Sequence, residues 1–200
     1  MIPKKIHYIW FGKGEKNDRI KHCIESWKKY LPDYEIIEWN EDNFDININD
    51  FCKQAYDNKI WAYVSDVARL YVLYKYGGIY MDTDVEVYKP LDEFLDQEGF
   101  IGFEDKHYLS TGTIGAEKGN PIIKYILESY NCMDFIKYPI WTDYIKYQRT
   151  SPCIFTNNFE TLGLKRDGTE QHIKHFSIYP IDYFHTKDIG YTYHSWNGSW

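Results

Sequence analysis

Two aspartates one residue apart, Asp82 and Asp84, are the residues whose type and spacing most directly suggest chemistry. Hard divalent cations take oxygen ligands, and a carboxylate pair at the tip of a buried strand lies on a cleft rim where such a cation can be held. Ile79-Tyr80-Met81, just before the pair, has the apolar character of that strand. The two carboxylates are expected to converge where the chain turns or bulges out of it. Asp66 and Arg69 lie three apart on the preceding helical stretch and so share a face. They add a third carboxylate and a guanidinium whose fork matches phosphate oxygens. The bland alternative, two solvated loop acids, does not account for Asp66 and Arg69 in the same unit.

The elements that must position these groups are readable from periodicity. Val64, Val67, Ala68, Tyr71 and Tyr74 make one apolar stripe at helical spacing. Gly77 and Gly78 end that helix, because glycine accepts the left-handed geometry of a helix C-terminus. Upstream, Ile6 to Trp10 reads as a first strand, Asn17 to Tyr30 as a helix closed by Pro32, and Tyr34 to Trp39 as a second strand. The acidic, Asn-rich stretch 40–50 reads as a solvated loop, and Asp50 to Asn58 as a short helix. The succession of strand, helix, strand, helix, helix and strand predicts an α/β layered sheet. An aromatic at the tip of a first strand, as Trp10 is, suits an α/β nucleotide site, where ligands bind beyond the strand ends. A core tryptophan is the competing reading.

Downstream, Val85 to Tyr88 alternates like a strand, Leu91 to Leu95 reads as a helical turn, and Phe100 to Phe103 as a buried strand. Tyr108 to Ala116 is small and polar before it turns apolar. A helix is predicted from Asn120-Pro121 to about Cys132, a short one over Thr156 to Leu162, and one late strand over Ile173 to Tyr179. The aromatic stretch between Met133 and Thr150 lacks a period and is read as a variable insertion on the acceptor side.

Ser65-Asp66-x-x-Arg69, followed by Leu73-Tyr74-x-x-Gly77-Gly78-Ile79-Tyr80-x-Asp82-x-Asp84, resembles the sugar-transferase segment of glycosyltransferase family 32. That group includes bacterial capsule and lipopolysaccharide transferases and yeast α-mannosyltransferases. The segment is also similar to the glucosyltransferase domain of the large clostridial toxins. The opening Ile6-His7-Tyr8-Ile9-Trp10-Phe11-Gly12 and a closing His194, Ser199 and Trp200 extend the resemblance to both ends of the chain. Ser151-Pro152 with Thr156 follows the family's G-P-x-x-x-T, with serine in place of glycine. Ser110 and Thr111 stand where an Asn is often found near the donor sugar, which leaves the identity of that sugar open.

The resemblance implies one GT-A-type, Rossmann-like domain over residues 1–200, with a central mixed sheet flanked by helices and a shortened C-terminus. It implies metal-dependent, retaining transfer of a hexose from a nucleotide-sugar, a UDP-sugar in the first place, to a glycan or lipid-linked glycan during capsule or surface-polysaccharide synthesis. Asp82, Asp84 and His194 would hold Mn²⁺ or Mg²⁺, imidazole serving such sites well beside carboxylates. Trp10 would stack on the base, and Asp82 would also reach the ribose. Asp66 and Arg69 would orient sugar hydroxyls and phosphate oxygens, Tyr80 would support or contact the donor, and Ser199 and Trp200 would close over the diphosphate. Asp66, Arg69, Asp82 and Asp84 are the catalytic set. No carboxylate is singled out as a nucleophile, so same-face attack guided by the leaving diphosphate is the expected route to retention.

Two alternatives remain at this stage. One is a non-catalytic nucleotide or sugar binder of the same fold. The other is a haloacid-dehalogenase-type phosphatase, whose apolar strand followed by D-x-D is similar to 79–84. That family expects Thr or Val two residues past the second Asp, where Glu86 stands here.

Bulk properties narrow the partners. A hydrophobic content of 44% and an aromatic content of 19% exclude a disordered chain. A net charge of −7 argues against nucleic acid, which is bound through clustered Lys and Arg. No apolar run approaches the roughly 20 residues a membrane helix needs. The N-terminus is too short and polar for a secretory segment. A cytoplasmic protein is expected, working at the inner face of the membrane if its acceptor is lipid-linked. Cys23, Cys52, Cys132 and Cys153 show no metal or disulfide spacing and read as free thiols.

Overall fold

The structure, a computed structural model, describes residues 1–133 and 150–195. Its order is β1 (Lys5–Ile9), α1 (Asp18–Tyr30), β2 (Glu35–Trp39), α2 (Asp50–Asp57), α3 (Trp61–Tyr76), β3 (Gly78–Met81), β4 (Val85–Val87), β5 (Gly99–Phe103), β6 (Leu109–Ala116), α4 (Pro121–Tyr130), α5 (Ser151–Thr161), β7 (Gln171–Ile173), β8 (Phe176–Tyr179), α6 (Ile181–Phe184) and β9 (Thr192–His194). Seven strands form one mixed sheet in the order β2-β1-β3-β6-β5-β8-β7, and β4 with β9 makes a separate two-stranded ribbon.

Side chains alternate across the sheet and divide the core in two. Tyr80, Ile101 and Ile114 pack with Val64, Val67 and Leu70 of α3 on one face. Ile6, Ile79, Met81 and Phe100 pack with Trp27, Phe94 and Phe184 on the other. The α1 helix starts where Asn17 accepts the Ile20 N–H at 3.0 Å, one of the donors a helix start leaves open. Asn120 caps α4 in the same way, with Pro121 in its first turn.

Several sequence expectations need correction. The apolar stripe on α3 is incomplete as a description: Val64, Val67 and Ala68 are buried, Tyr71 and Tyr74 only partly, and Ser65, Asp66, Arg69, Leu70, Val72 and Leu73 are buried as well. The helix is enclosed around most of its circumference, so its polar residues are interior too. Residues 109–116, given no element from the sequence, form a strand buried along its whole length. The late strand is a hairpin, broken at Lys174, which adopts φ 52. The α5 helix begins at Ser151, five residues before the expected start. The stretch read as an acceptor-side insertion lies, over 134–149, outside the described residues, as do Ser199 and Trp200. Among the described residues, no helix is long and apolar enough to cross a membrane.

The two glycines after α3 act as expected, with φ 65 at Gly77 and 119 at Gly78. A Cβ on Gly78 would also stand 2.8 Å from the Lys5 carbonyl oxygen of the neighbouring strand. Gly78→Ala is therefore expected to destabilise the protein by about 1–3 kcal/mol, seen as a lower midpoint in urea without loss of folded-state circular dichroism.

Register gathers the functional groups at one edge. β1 and β3 run parallel, so Trp10 and Asp82 leave the sheet on the same side. β6 runs antiparallel to β3, with Met81 opposite Thr113, and brings its N-terminal half there. β5 pairs antiparallel with β6, with Phe103 opposite Leu109, and ends at that edge too. Because β2 and β3 flank β1 on opposite sides, this edge lies at a switch point of the sheet, the usual place for ligands in open α/β sheets.

Candidate active site

Asp82 and Asp84 lie in a turn, closed by the Val85 N–H donating to the Asp82 carbonyl at 3.0 Å. The chain therefore leaves the strand where convergence requires it. β9 then lies antiparallel to β4 and sets His194 opposite Val85. His194 Nε2 comes within 3.0 Å of Asp84 Oδ1 and 3.8 Å of Asp82 Oδ2. Among the described residues, these three alone bring ligand atoms within 4.8 Å of one another as a candidate metal group. Two carboxylate oxygens and one imidazole nitrogen suit a divalent cation.

The surroundings hold this arrangement in place. Ser195 donates both its backbone N–H, at 3.1 Å, and its hydroxyl, at 2.9 Å, to the Asp84 carbonyl. Trp27 Nε1 of α1 donates to the Val85 carbonyl at 2.7 Å. Gly112 leaves room for the imidazole, since a Cβ there would lie 3.1 Å from His194 Nδ1.

Asp66 and Arg69 meet this cluster from α3. Arg69 Nη2 is 3.0 Å from Asp66 Oδ1 and 3.4 Å from Asp82 Oδ1. Its Nε donates to the Ser65 carbonyl at 3.2 Å and its Nη1 to the Thr111 carbonyl at 2.9 Å. The guanidinium also lies over the Tyr80 ring, 4.6 Å from its centroid. Arg69 is thus committed to the protein, and its direct effect is to hold Asp66 and Asp82. Tyr80 is fully buried and its hydroxyl donates to Asp82 Oδ1 at 2.6 Å. That makes it a support beneath the carboxylate and corrects the expectation of a donor contact.

One cation shared between two buried carboxylates leaves an imbalance. Burial raises the Asp66 carboxyl to about 6, with the Asp82 charge adding to the rise and Arg69 and Ser151 opposing it. Burial lowers the affinity of His194 for its proton, but the hydrogen bond to Asp84 and the charges of Asp82, Asp84 and Glu104 outweigh it and raise its pKa above 6.5. The stability that His194 contributes is fully present below 6.5 and is lost as the pH rises through the raised value. A metal ligand must be deprotonated, so cation binding has the opposite slope. Mn²⁺ affinity is expected to strengthen as the pH rises through that region and to lose most of this dependence in His194→Gln, as read by electron paramagnetic resonance.

A pocket of about 290 Å³ opens over these groups, lined by Asp66, Arg69, Asp82, Asp84 and His194 together with Thr111, Ser151 and Glu104. Trp10 is not part of this lining. It borders a neighbouring hollow with Gly12, Asn17 and Trp61, its Nε1 donating to the Gly14 carbonyl at 2.7 Å and the Lys16 ammonium lying 5.3 Å from its ring centroid. The sequence did not point to Glu104, Ser195 or the Trp27 contact. Only the pairing of β4 with β9 and the end of β5 reveal them.

Known proteins agree with this geometry. Residues 17–101 match the family model described as the glycosyltransferase sugar-binding region containing a DXD motif. Inositol phosphoceramide mannosyltransferase 3 of Schizosaccharomyces pombe is 28% identical over 139 residues, covering 64% of this chain and 37% of that protein. Human alpha-1,4-N-acetylglucosaminyltransferase is 31% identical over 131 residues, covering 64% of this chain and 34% of that protein. The chain thus spans little more than a third of either relative's length. The solved PaToxG glycosyltransferase superposes with a TM-score of 0.55 at 22% identity, covering 80% of this chain and 69% of that one. The fold is the GT-A type, with the mixed sheet expected from the resemblance. The phosphatase alternative falls away. Its D-x-D segment, with the helix and strands around it, matches the DXD-containing sugar-binding region of glycosyltransferases, and the relatives it resembles are named as glycosyltransferases.

Proposed function

We propose that this protein is a metal-dependent, retaining glycosyltransferase that moves a hexose from a nucleotide-sugar to a glycan or glycolipid acceptor. The observation that carries the reading is the convergence of Asp82, Asp84 and His194 beside the buried Asp66–Arg69 pair, all lining one pocket at the switch point of the sheet. Bound there, Mn²⁺ or Mg²⁺ would neutralise, as a Lewis acid, the charge that gathers on a departing diphosphate. The residues themselves divide the remaining work. Asp84 and His194 present the ligand atoms, and Asp82, fixed by Tyr80 and Arg69, presents a third. Asp66 turns toward the same pocket from α3 and suits hydrogen bonding to sugar hydroxyls. Trp10 in the adjoining hollow offers a flat surface for a base.

Relatives named as mannosyl- and N-acetylglucosaminyltransferases support a hexose or N-acetylhexosamine donor. A glycan of the bacterial surface, met at the inner face of the membrane, is the acceptor class this reading favours. The test is Mn²⁺-dependent hydrolysis of a panel of UDP- and GDP-sugars. One donor should be hydrolysed, and only with metal present. Absence of both binding and hydrolysis across the panel would overturn the reading.

A further inference from the structure

Arg19 stands in the first turn of α1, where its charge faces the positive end of the helix dipole, a place that disfavours a cation. The helix gives no reason for it; the reason lies across the ribbon of β4 and β9. Arg19 Nη2 pairs with Glu86 Oε2 of β4 at 2.9 Å, and its Nε donates to the Ser195 hydroxyl just past β9 at 3.3 Å. The Glu86 side chain is only 14% exposed, which shields this pair more than a bare surface ion pair. His22, three residues further along α1, meets the other oxygen of the same carboxylate at 3.0 Å. Trp27 donates to the Val85 carbonyl at 2.7 Å, and the Ser26 hydroxyl accepts the Val87 N–H at 2.9 Å. The α1 helix thus braces β4 along its length, and of these four side chains Arg19 is the one that reaches beyond β4 to Ser195.

β9 is fastened at both ends. At its start the Thr192 hydroxyl donates to the Phe184 carbonyl at 3.0 Å and meets the Thr113 hydroxyl at 3.2 Å. At its far end the Ser195 N–H and hydroxyl both donate to the Asp84 carbonyl, at 3.1 and 2.9 Å. His194 is the residue beside that second fastening, its Nε2 3.0 Å from Asp84 Oδ1. A serine hydroxyl has one proton to give and lone pairs to receive with. With Arg19 Nε donating to that oxygen, the hydroxyl proton is left to point at the Asp84 carbonyl. The guanidinium therefore sets the direction of a bond that ties the His194 end of the ribbon to the backbone of Asp84.

We propose that Arg19 is a positioning residue for the Asp82, Asp84 and His194 cluster. Acting through Ser195 and Glu86, it holds His194 against Asp84 from outside the pocket lining. The inference rests on the transferase reading in one respect, that a divalent cation occupies the cluster; the hold on β9 stands on the contacts alone. Partners that orient a metal ligand typically change metal affinity about 10–100-fold when removed.

The test uses the full chain with Arg19→Met, Arg19→Lys, Ser195→Ala and the double variant Arg19→Met, Ser195→Ala. Mn²⁺ affinity by electron paramagnetic resonance should fall about tenfold or more in Arg19→Met. In the metal-free protein, hydrogen exchange of the Ser195 amide should quicken about tenfold, the scale of one hydrogen bond to a charged group, while amides of β1 and β3 keep their wild-type rates. Arg19→Lys keeps a charge for Glu86 but lacks the planar fork that serves two partners, so it should share most of the loss. The double variant should lose little more than the worse of its two single variants. Exchange and Mn²⁺ affinity within twofold of wild type in Arg19→Met overturn the assignment. So does faster exchange throughout β1 and β3, which would mark a general loss of fold. Wild-type behaviour of Arg19→Lys, or a double variant whose loss is the product of the single losses, overturns the route through Ser195. A wild type that binds no Mn²⁺ overturns the cation reading, and the exchange rates then decide alone whether Arg19 holds β9.

Discussion

Asp84→Asn is expected to lose metal-dependent hydrolysis of the donor by 10²–10³-fold or more while the protein stays folded. Asparagine keeps the shape of the side chain and removes the charge that faces His194 at 3.0 Å. The Asp84 carbonyl that receives Ser195 belongs to the backbone, so β9 stays docked and the substitution isolates the carboxylate. The expected loss corresponds to about 3–4 kcal/mol of transition-state stabilisation, the scale on which one well-placed electrostatic partner acts. Asp82→Asn should weaken the cation less, because Asp82 also answers to Tyr80 and Arg69. The measurements are Mn²⁺ affinity, donor hydrolysis and a thermal melt on the same preparations. Normal Mn²⁺ binding and a hydrolysis rate within threefold of wild type in Asp84→Asn would remove Asp84 from the cation's ligands.

The second large effect is on stability. Arg69→Met should cost about 3–5 kcal/mol, because it removes from the buried Asp66 and Asp82 the guanidinium that they share. For a protein of this size that corresponds to a fall in Tm of roughly 6–20 °C. The loss has a sign in pH. Burial holds the Asp66 carboxyl near 6, above its ordinary 3.8, so its contribution to stability is present below 3.8 and is lost as the pH rises through about 6. Removing Arg69 raises that carboxyl further, and the deficit should therefore be largest above pH 6 and shrink as Asp66 takes up a proton. The double variant Arg69→Met, Asp66→Asn should recover part of the stability and none of the hydrolysis. A melt unchanged by Arg69→Met from pH 5 to 8 would show that the buried pair contributes nothing to folding.

Much of this protein is legible in its sequence because local signals agree with the fold. The Asn17 and Asn120 caps and the Gly77-Gly78 stop each mark a boundary where the structure has one. Asp66, Arg69, Asp82 and Asp84 could be grouped because they fall within nineteen consecutive residues, on a helix and in the turn that closes the strand after it. β6 was not legible. Its Ser110, Thr111 and Thr113 look like loop residues, yet they are buried, and the hydroxyls of Thr113 and Thr192 meet at 3.2 Å across elements far apart in the chain. The length of α3 that is enclosed was also hidden, since a stripe of period 3.6 shows one apolar face and cannot show that neighbours cover the polar one. His194 emerged only through family resemblance, because its partner strand is β4 and no local pattern reports that pairing. Glu104 gave no signal, being a single acid beside Asp105 in a polar stretch.

The pairing of β4 with β9 also bears on the order in which the molecule matures. The main sheet is complete once β8 has been made, whereas His194 joins the aspartates only by closing a loop of roughly a hundred residues. A chain emerging from the ribosome would therefore acquire its sheet, and the carboxylates on its edge, before it could acquire the third ligand. The same separation makes the candidate metal cluster depend on a short ribbon, tied to the rest of the fold by hydrogen bonds that include those of Trp27, Ser26, Ser195 and Thr192. Protease cleavage between β8 and β9, if it released β9, would then leave a protein with a nearly native far-ultraviolet spectrum and without the third member of the Asp82, Asp84 and His194 cluster.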